Sequence, residues 1–171
     1  MNFHVHPKGF WLWLKPTQES SELLIDLRNE IIIDNGTKAF PFHLTISKIN
    51  LQNLYETKLS YDLEIKDFNF SSFDWSIHSQ CNNYFQSIYL APQNKNKFNN
   101  LLISVMESMK MRNYLPKKID PHISLVYSFI KKEKEFKKNS FKISFDKLQI
   151  AFVDEKKGVW KYVNSLKEFN L

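Results

Sequence analysis

The chain has 171 residues, of which 43% are hydrophobic and 15% aromatic, enough apolar material for one compact domain spanning 1–171. Twenty-four basic residues against 18 acidic ones give a net charge of +6, with a pI near 9.2. Only three glycines occur, Gly9, Gly36 and Gly158, and their separation excludes the glycine-rich loops that cradle nucleotide phosphates. The single cysteine, Cys81, excludes an internal disulfide and a multi-cysteine zinc site. Phe10–Leu14 is the longest apolar run, far short of the roughly 20 residues that span a bilayer. With no basic start followed by an apolar stretch, the expectation is a cytoplasmic monomer with no membrane partner.

The positive charge is a weak signal for nucleic acid. All but Arg28 and Arg112 of the basic residues are lysine, in a chain also rich in Asn, Ile and Phe, as an AT-rich genome would produce. Arginine is the residue favoured for bidentate phosphate recognition, and it is scarce here. Half the net charge sits in Lys131–Lys138, which reads as a solvated loop or hairpin tip, with steering of an anionic substrate as the alternative.

In chain order, Phe10–Leu14 reads as a buried strand ended by Pro16. Thr17 caps a helix carrying Glu19 and Glu22 in its first turn, with Leu23, Leu27 and Ile31 on one face and Asn35-Gly36 as the stop. His43–Ile49 alternates as a strand. Residues 51–80 suggest two more strands, and Phe85–Leu90 another. Pro92 then precedes a helix with Phe98, Leu102, Val105 and Met109 on one face. Ile123–Phe129 is a strand entered through Pro121. The tail offers strands at about Phe141–Val153 and Val159–Val163, turning through Asp154–Gly158.

This order hides a repeat. Trp13 precedes His43 by 30 residues and Leu90 precedes His122 by 32. Each interval holds one amphipathic helix and ends on proline, histidine, an apolar residue and a hydroxyl residue. A duplicated strand–helix–strand unit follows, with two similar lobes placing equivalent histidines across a shared cleft.

The motifs themselves are Phe42-His43-Leu44-Thr45-Ile46 and Pro121-His122-Ile123-Ser124-Leu125. Strand alternation puts His43 with Thr45, and His122 with Ser124, on one face, while Leu44 and Ile123 enter the core. An imidazole beside a hydroxyl on each of two rigid strands suits a phosphodiester. Hydroxyls donate to its non-bridging oxygens, and imidazoles transfer protons near neutral pH. Neither a metal nor a cofactor is needed for that division of work.

These segments resemble the two-histidine phosphoesterases, and within them the plant and yeast 2′,3′-cyclic nucleotide phosphodiesterases. Pro121–Tyr127 is similar to the second motif of that group and Phe42–Ile46 to the first. Phe85–Leu90 is similar to its central strand, and Trp13–Pro16 to the end of its first. The resemblance implies an α+β bilobal fold, with two pseudo-symmetric lobes of antiparallel sheet and outer helices around a central cleft. It also implies metal-independent hydrolysis of ribose 2′,3′-cyclic phosphates, on a cyclic nucleotide or an ADP-ribose cyclic phosphate. His43 would be the proton donor, His122 the proton acceptor, and Thr45 and Ser124 the phosphate ligands. Tyr127 matches a tyrosine that assists the site, although strict alternation from His122 turns it to the other face. Trp13 and Phe85 are candidate walls for base or sugar. The lone cysteine departs from the plant enzymes, which leaves no internal disulfide for redox control.

Two alternatives use the same cleft: cleavage of 2′-5′-linked or cyclic oligonucleotide messengers, and a nucleotide- or RNA-binding module without catalysis. In each reading the partner is a small nucleotide or a short oligonucleotide. His4-Val5-His6 echoes a metal-binding pair, but only His78 remains outside the motifs to support it, so a mobile terminal pair is the plainer reading. Cys81 lacks a neighbouring cation or base and reads as a structural or surface thiol. Lys117-Lys118 reads as a solvated loop, and Met106, Met109 and Met111 as helix packing.

Overall fold

The computed structural model describes residues 9–31, 37–38, 41–49, 68–81, 83–108, 113, 115–136, 140–156 and 159–171. Strands β1 (Gly9–Pro16), β2 (Thr37–Lys38), β3 (Leu44–Ile49), β4 (Asp74–Ser79), β5 (Ile88–Pro92), β6 (Ile123–Tyr127), β7 (Phe141–Lys142), β8 (Phe145–Lys156) and β9 (Val159–Asn170) form one sheet. Its order is β7-β4-β5-β6-β3-β1-β8-β9, with β2 paired to β6. Every pairing is antiparallel. Helices α1 (Gln18–Glu30) and α2 (Lys95–Ser108) follow β1 and β5.

Read outward from the β3–β6 seam, the sheet is a duplication: β3-β1-β8-β9 on one side, β6-β5-β4-β7 on the other. Each half runs strand, helix, strand in the same sense, so the expected pair of lobes is present. The seam carries the ladder pair Leu44↔Ile123, and both residues are fully buried.

The helices begin where side chains satisfy their first free N–H groups. Thr17 Oγ1 accepts from Ser20 N at 3.2 Å, and Asn94 Oδ1 accepts from Lys97 N at 2.9 Å. Helix α1 is tied to the sheet by Thr17 N donating to Ser144 O, and by Ser144 N donating to Ser20 Oγ, both at 2.9 Å. It ends at Glu30, where Ile31 turns extended, ahead of the expected stop. Ile31 opens a run of three isoleucines, whose branched side chains favour strand over helix. Asn35-Gly36 lies outside the described residues. Leu24 is the fully buried residue of α1, and Leu23, Leu27 and Ile31 are partly buried against the same core. On α2, Phe98, Leu102 and Val105 are buried as the pattern required, Met106 is buried beside them, and Met109 is outside the described residues.

Several boundaries differ from expectation, and the expected strand Phe141–Val153 is broken at residues 143–144 into β7 and β8. Phe85–Leu90 is not one strand: Tyr84–Gln86 is a 3-10 turn and β5 starts at Ile88. The cause is Asn83, whose Oδ1 accepts from Phe85 N and Gln86 N and offers the backbone a turn instead of a ladder. Of residues 51–80, Asp74–Ser79 forms β4, and 51–67 lie outside the described residues. Finally β9 runs on to Asn170, well beyond Val163, because it pairs with β8 along nearly its whole length.

The main core lies between one sheet face and the two helices, and includes Leu12, Leu14, Leu44, Trp75, Leu90, Phe98, Ile123 and Leu148. A smaller cluster on the opposite face joins Trp13, Ala151 and Val153, with Trp11 against it. The candidate site lies on that second face. Among the described residues, no helix is long and apolar enough to cross a membrane.

Candidate active site

Both histidines sit one residue ahead of the strand they lead into. His43 Nδ1 donates to Pro41 O at 2.7 Å, and His122 Nδ1 donates to Asp120 O at 2.8 Å. Each acceptor is a carbonyl, so each neutral ring carries its proton on Nδ1 and keeps the lone pair at Nε2 for chemistry. The same two-residue backward bond thus sets the same tautomer in both lobes.

Pairing Leu44 with Ile123 fixes the rest of the arrangement. Extended by one residue each way, that single ladder pair aligns His43 with Ser124 and Thr45 with His122. Cross-strand neighbours of this kind have Cβ atoms about 5 Å apart. Leu44 and Ile123 point into the core, so all four polar side chains face the other way. The two motifs therefore form a two-by-two array, each imidazole diagonal to the other. Their proximity is felt electrostatically: charge on His122 disfavours charge on His43.

The two rings differ in surroundings. His43 lies on the indole of Trp13, ring centroids 3.7 Å apart and planes 17° from parallel. Burial, then the nearby Lys15 charge and His122, hold its pKa down at about 3, against the Pro41 carbonyl that favours the cation. Lys15 Nζ donates to Phe42 O at 2.6 Å, and burial lowers its own pKa to about 8. Burial also lowers the pKa of His122, but there the Asp120 carbonyl and the Asp120 carboxylate oppose it. Asp120 is ion-paired with Lys95 at 2.6 Å. Gln86 Nε2 lies 2.9 Å from His122 Nδ1, 3.2 Å from its Nε2 and 3.4 Å from Asp120 Oδ2.

Ser124 Oγ donates to Phe85 O at 2.5 Å, so its proton reaches a ligand by rotation about Cβ–Oγ. Tyr127 departs from strict alternation. The register of β5 on β6 steps from Ile88↔Val126 to Tyr89↔Ser124, which makes Leu125 an inserted bulge residue. Leu125 and Val126 consequently both enter the core, and Tyr127 swings to the site side against Phe85, with ring centroids 5.3 Å apart. Lobe one carries the equivalent bulge: Leu12↔Ser47 is followed by Trp13↔Thr45, which leaves Ile46 as the extra residue.

Phe85 is part-exposed and touches Tyr84 and Tyr127, while Phe129 at the same end is 66% exposed against Tyr84. Trp13 is only 2% exposed, so it supports the His43 ring rather than offering a face to base or sugar. Sequence reading did not single out Lys15, Gln86, Tyr89, Lys95 or Asp120. Each becomes visible only through cross-strand or helix-to-strand contacts. The one local signal was the position of Asp120 two residues before His122, matching Pro41 before His43. Cys81 is part-exposed and lies outside this array. Among the described residues no three His, Cys, Asp or Glu side chains gather as a metal set; His4 and His6 lie outside those residues.

A bilobal antiparallel sheet with one helix per lobe is a fold shared with solved structures, among them a phosphoesterase. E. coli LigT complexed with 3′-AMP superposes with a TM-score of 0.59 at 16% identity, covering 97% of this chain and 99% of that one. The protein TT0787 of Thermus thermophilus gives 0.60 at 14% identity, with 95% and 97% covered. LigT with NADP+ gives 0.55 at 18% identity, with 97% and 99% covered. No protein-family model matches the chain, and no curated protein does. The expected α+β bilobal fold is therefore the one found.

Proposed function

We propose that the protein is a metal-independent phosphodiesterase that opens a ribose 2′,3′-cyclic phosphate to a phosphomonoester. The observation carrying this is the two-by-two array: two imidazoles, each beside a hydroxyl, on the rigid seam of the two lobes, with the His122 Nε2 within reach of the Gln86 amide. Solved neighbours of the same fold hold 3′-AMP, NADP+ and ATP, which supports a small nucleotide ligand.

In the reaction, Thr45 and Ser124 donate to the non-bridging oxygens, Ser124 by leaving the Phe85 carbonyl. His122 Nε2 takes a proton from water as its oxygen attacks phosphorus. The bond from phosphorus to one ribose oxygen breaks, and that oxygen receives the Nε2 proton of His43. One imidazole gains the proton the other loses, and exchange with solvent resets the pair. For His43 to begin as the acid it must be protonated against burial and Lys15, and the negative phosphate supplies the opposing charge. Phe85 and Tyr127 flank the Ser124 end of the array, where the nucleoside is placed.

A second reading reverses the two histidines. A cation, Lys15, faces His43, and a carboxylate, Asp120, faces His122. That arrangement favours His122 as the protonated partner and His43 as the base. Hydrolysis of nucleoside 2′,3′-cyclic phosphates in excess EDTA, followed by phosphorus NMR, tests the activity under either division. His43→Ala and His122→Ala should each lower kcat by about 10²-fold or more. No turnover of any cyclic phosphate by the wild type, or full turnover by both variants, overturns the reading.

A further inference from the structure

The pseudo-two-fold relation makes specific residues equivalent across the seam. Trp13 pairs with Thr45 in one lobe and Tyr89 with Ser124 in the other. One strand further out, Gln149 pairs with Trp13 and His78 with Tyr89. Two equivalent floors thus flank the histidines, and they are finished differently. On the first, Trp13 and Gln149 are 2% and 4% exposed, and the Gln149 amide is tied to Glu168 Oε1 at 2.6 Å. That side is filled by protein. On the second, Tyr89 is part-exposed and His78 exposed, with ring centroids 5.5 Å apart and planes 27° from parallel. The Tyr89 ring in turn meets His122 edge-on at 5.9 Å.

An open aromatic floor continuous with a catalytic histidine has a use when the substrate is longer than its reacting group. Ammonium groups border it. His78 borders two depressions, one shared with Ser76 and Lys95, the other with Lys132 and Lys134. The first is an open depression of about 600 Å³. Ser79 Oγ donates to Lys134 O and accepts from Lys134 N, which fixes the lysine-rich segment beside His78. Lys95 acts electrostatically on His78, Tyr89 and His122 together. Glu133 and Glu135 line the second depression together with Lys132 and Lys134, and Lys95 is paired with Asp120, so carboxylates stand among the ammonium groups. Aromatic faces stack on any base, and flanking ammonium groups favour the backbone phosphate that accompanies it. Two strand spacings, about 10 Å, separate β6 from β4, a span suited to one further nucleotide.

We infer that Tyr89 and His78, flanked by Lys95 and Lys134, form a second nucleotide subsite, so that the substrate is an oligonucleotide rather than a mononucleotide. This rests on reading the cleft as a phosphodiester site. The test measures binding, so that it does not depend on turnover. Calorimetric titration compares adenosine 3′-monophosphate with the dinucleotide ApA bearing a terminal 3′-phosphate. The wild type should prefer the dinucleotide by roughly 5- to 100-fold, the range expected of one stacked base. In His78→Ala and Tyr89→Leu that ratio should fall to near one, with thermal melts checking that both variants are folded. Equal or absent affinity for the two ligands in the wild type overturns the subsite, as does a preference surviving in both variants. A wild type that shows the preference and hydrolyses no phosphodiester refutes the catalytic reading and leaves the subsite standing.

Discussion

The imidazole of His43 rests on the indole of Trp13, 3.7 Å between ring centroids and 17° from parallel. Trp13 is itself held by Ala151 and Val153 beneath β8, so the ring is supported from behind. The Nδ1 bond to Pro41 O and the stack together leave His43 one orientation. Trp13→Leu should keep the fold while loosening that orientation. We expect kcat against cyclic phosphates to fall by about 10- to 100-fold, the cost of a misplacement near 1 Å. His43 should also titrate closer to its ordinary value as water reaches the ring. An NMR titration of the imidazole that leaves its pKa unmoved, together with unchanged kcat, would show that the stack has no positioning role.

Lys15 offers a test with a definite sign. Its charge is one of the causes that lower the His43 pKa, after burial. Lys15→Met should therefore raise that pKa, though not to 6.5, because burial remains. The same depression links His43 to stability. Between pH 6.5 and about 3 the unfolded chain binds a proton that the folded ring refuses, so stability rises with pH across this window. On acidification through it, Tm of the wild type should drop more steeply than Tm of His43→Gln. Parallel Tm curves for the two proteins would contradict the buried, depressed histidine.

Much of this site was legible in local sequence because alternation and register are local properties. His43 with Thr45, and His122 with Ser124, share a face through the period of the strand, and Leu44 and Ile123 fill the core beneath. The duplication was likewise readable from matched spacings. What alternation could not supply was the bulge at Leu125, which turns Tyr127 toward Phe85, since a bulge is set by the partner strand β5. Nor could it supply the asymmetry of the two floors. Trp13 and Phe85 looked alike as aromatics, yet β8 covers one and leaves the other part-exposed. The early start of the Asn83 turn was hidden because a capping side chain competed with an apolar run that reads as strand.

The division of labour between the histidines can be decided with leaving groups. A general acid matters most when the departing oxygen is basic, as a ribose oxygen is, and least when it is a nitrophenolate. Replacing the acid should therefore cost about 10²-fold or more on a 2′,3′-cyclic phosphate and far less on a nucleoside p-nitrophenyl phosphate. Replacing the base should cost both substrates alike. If His43→Ala is the variant relieved by the good leaving group, His43 is the donor. Relief of His122→Ala assigns the donor to His122, in accord with the Asp120 carboxylate beside it.

The seam provides the last prediction. The register of Leu44 on Ile123 aligns His43 with Ser124 and Thr45 with His122, so the spacing of the histidine–hydroxyl array depends on that contact. Leu44 is fully buried, and Leu44→Ala should cost about 2–5 kcal/mol through lost burial and the cavity left behind. For a chain of this size that lowers Tm by roughly 5–15 °C. Leu102 on α2 is equally buried and belongs to the same core, but it touches neither motif strand's register. Leu102→Ala should lose comparable stability while keeping kcat within about 2-fold. Leu44→Ala, assayed well below its Tm, should lose kcat by about 10-fold, because a gap at the seam lets the two strands shift by fractions of an ångström. Equal kcat in the two variants would mean that the array is held by each lobe separately and owes nothing to the seam.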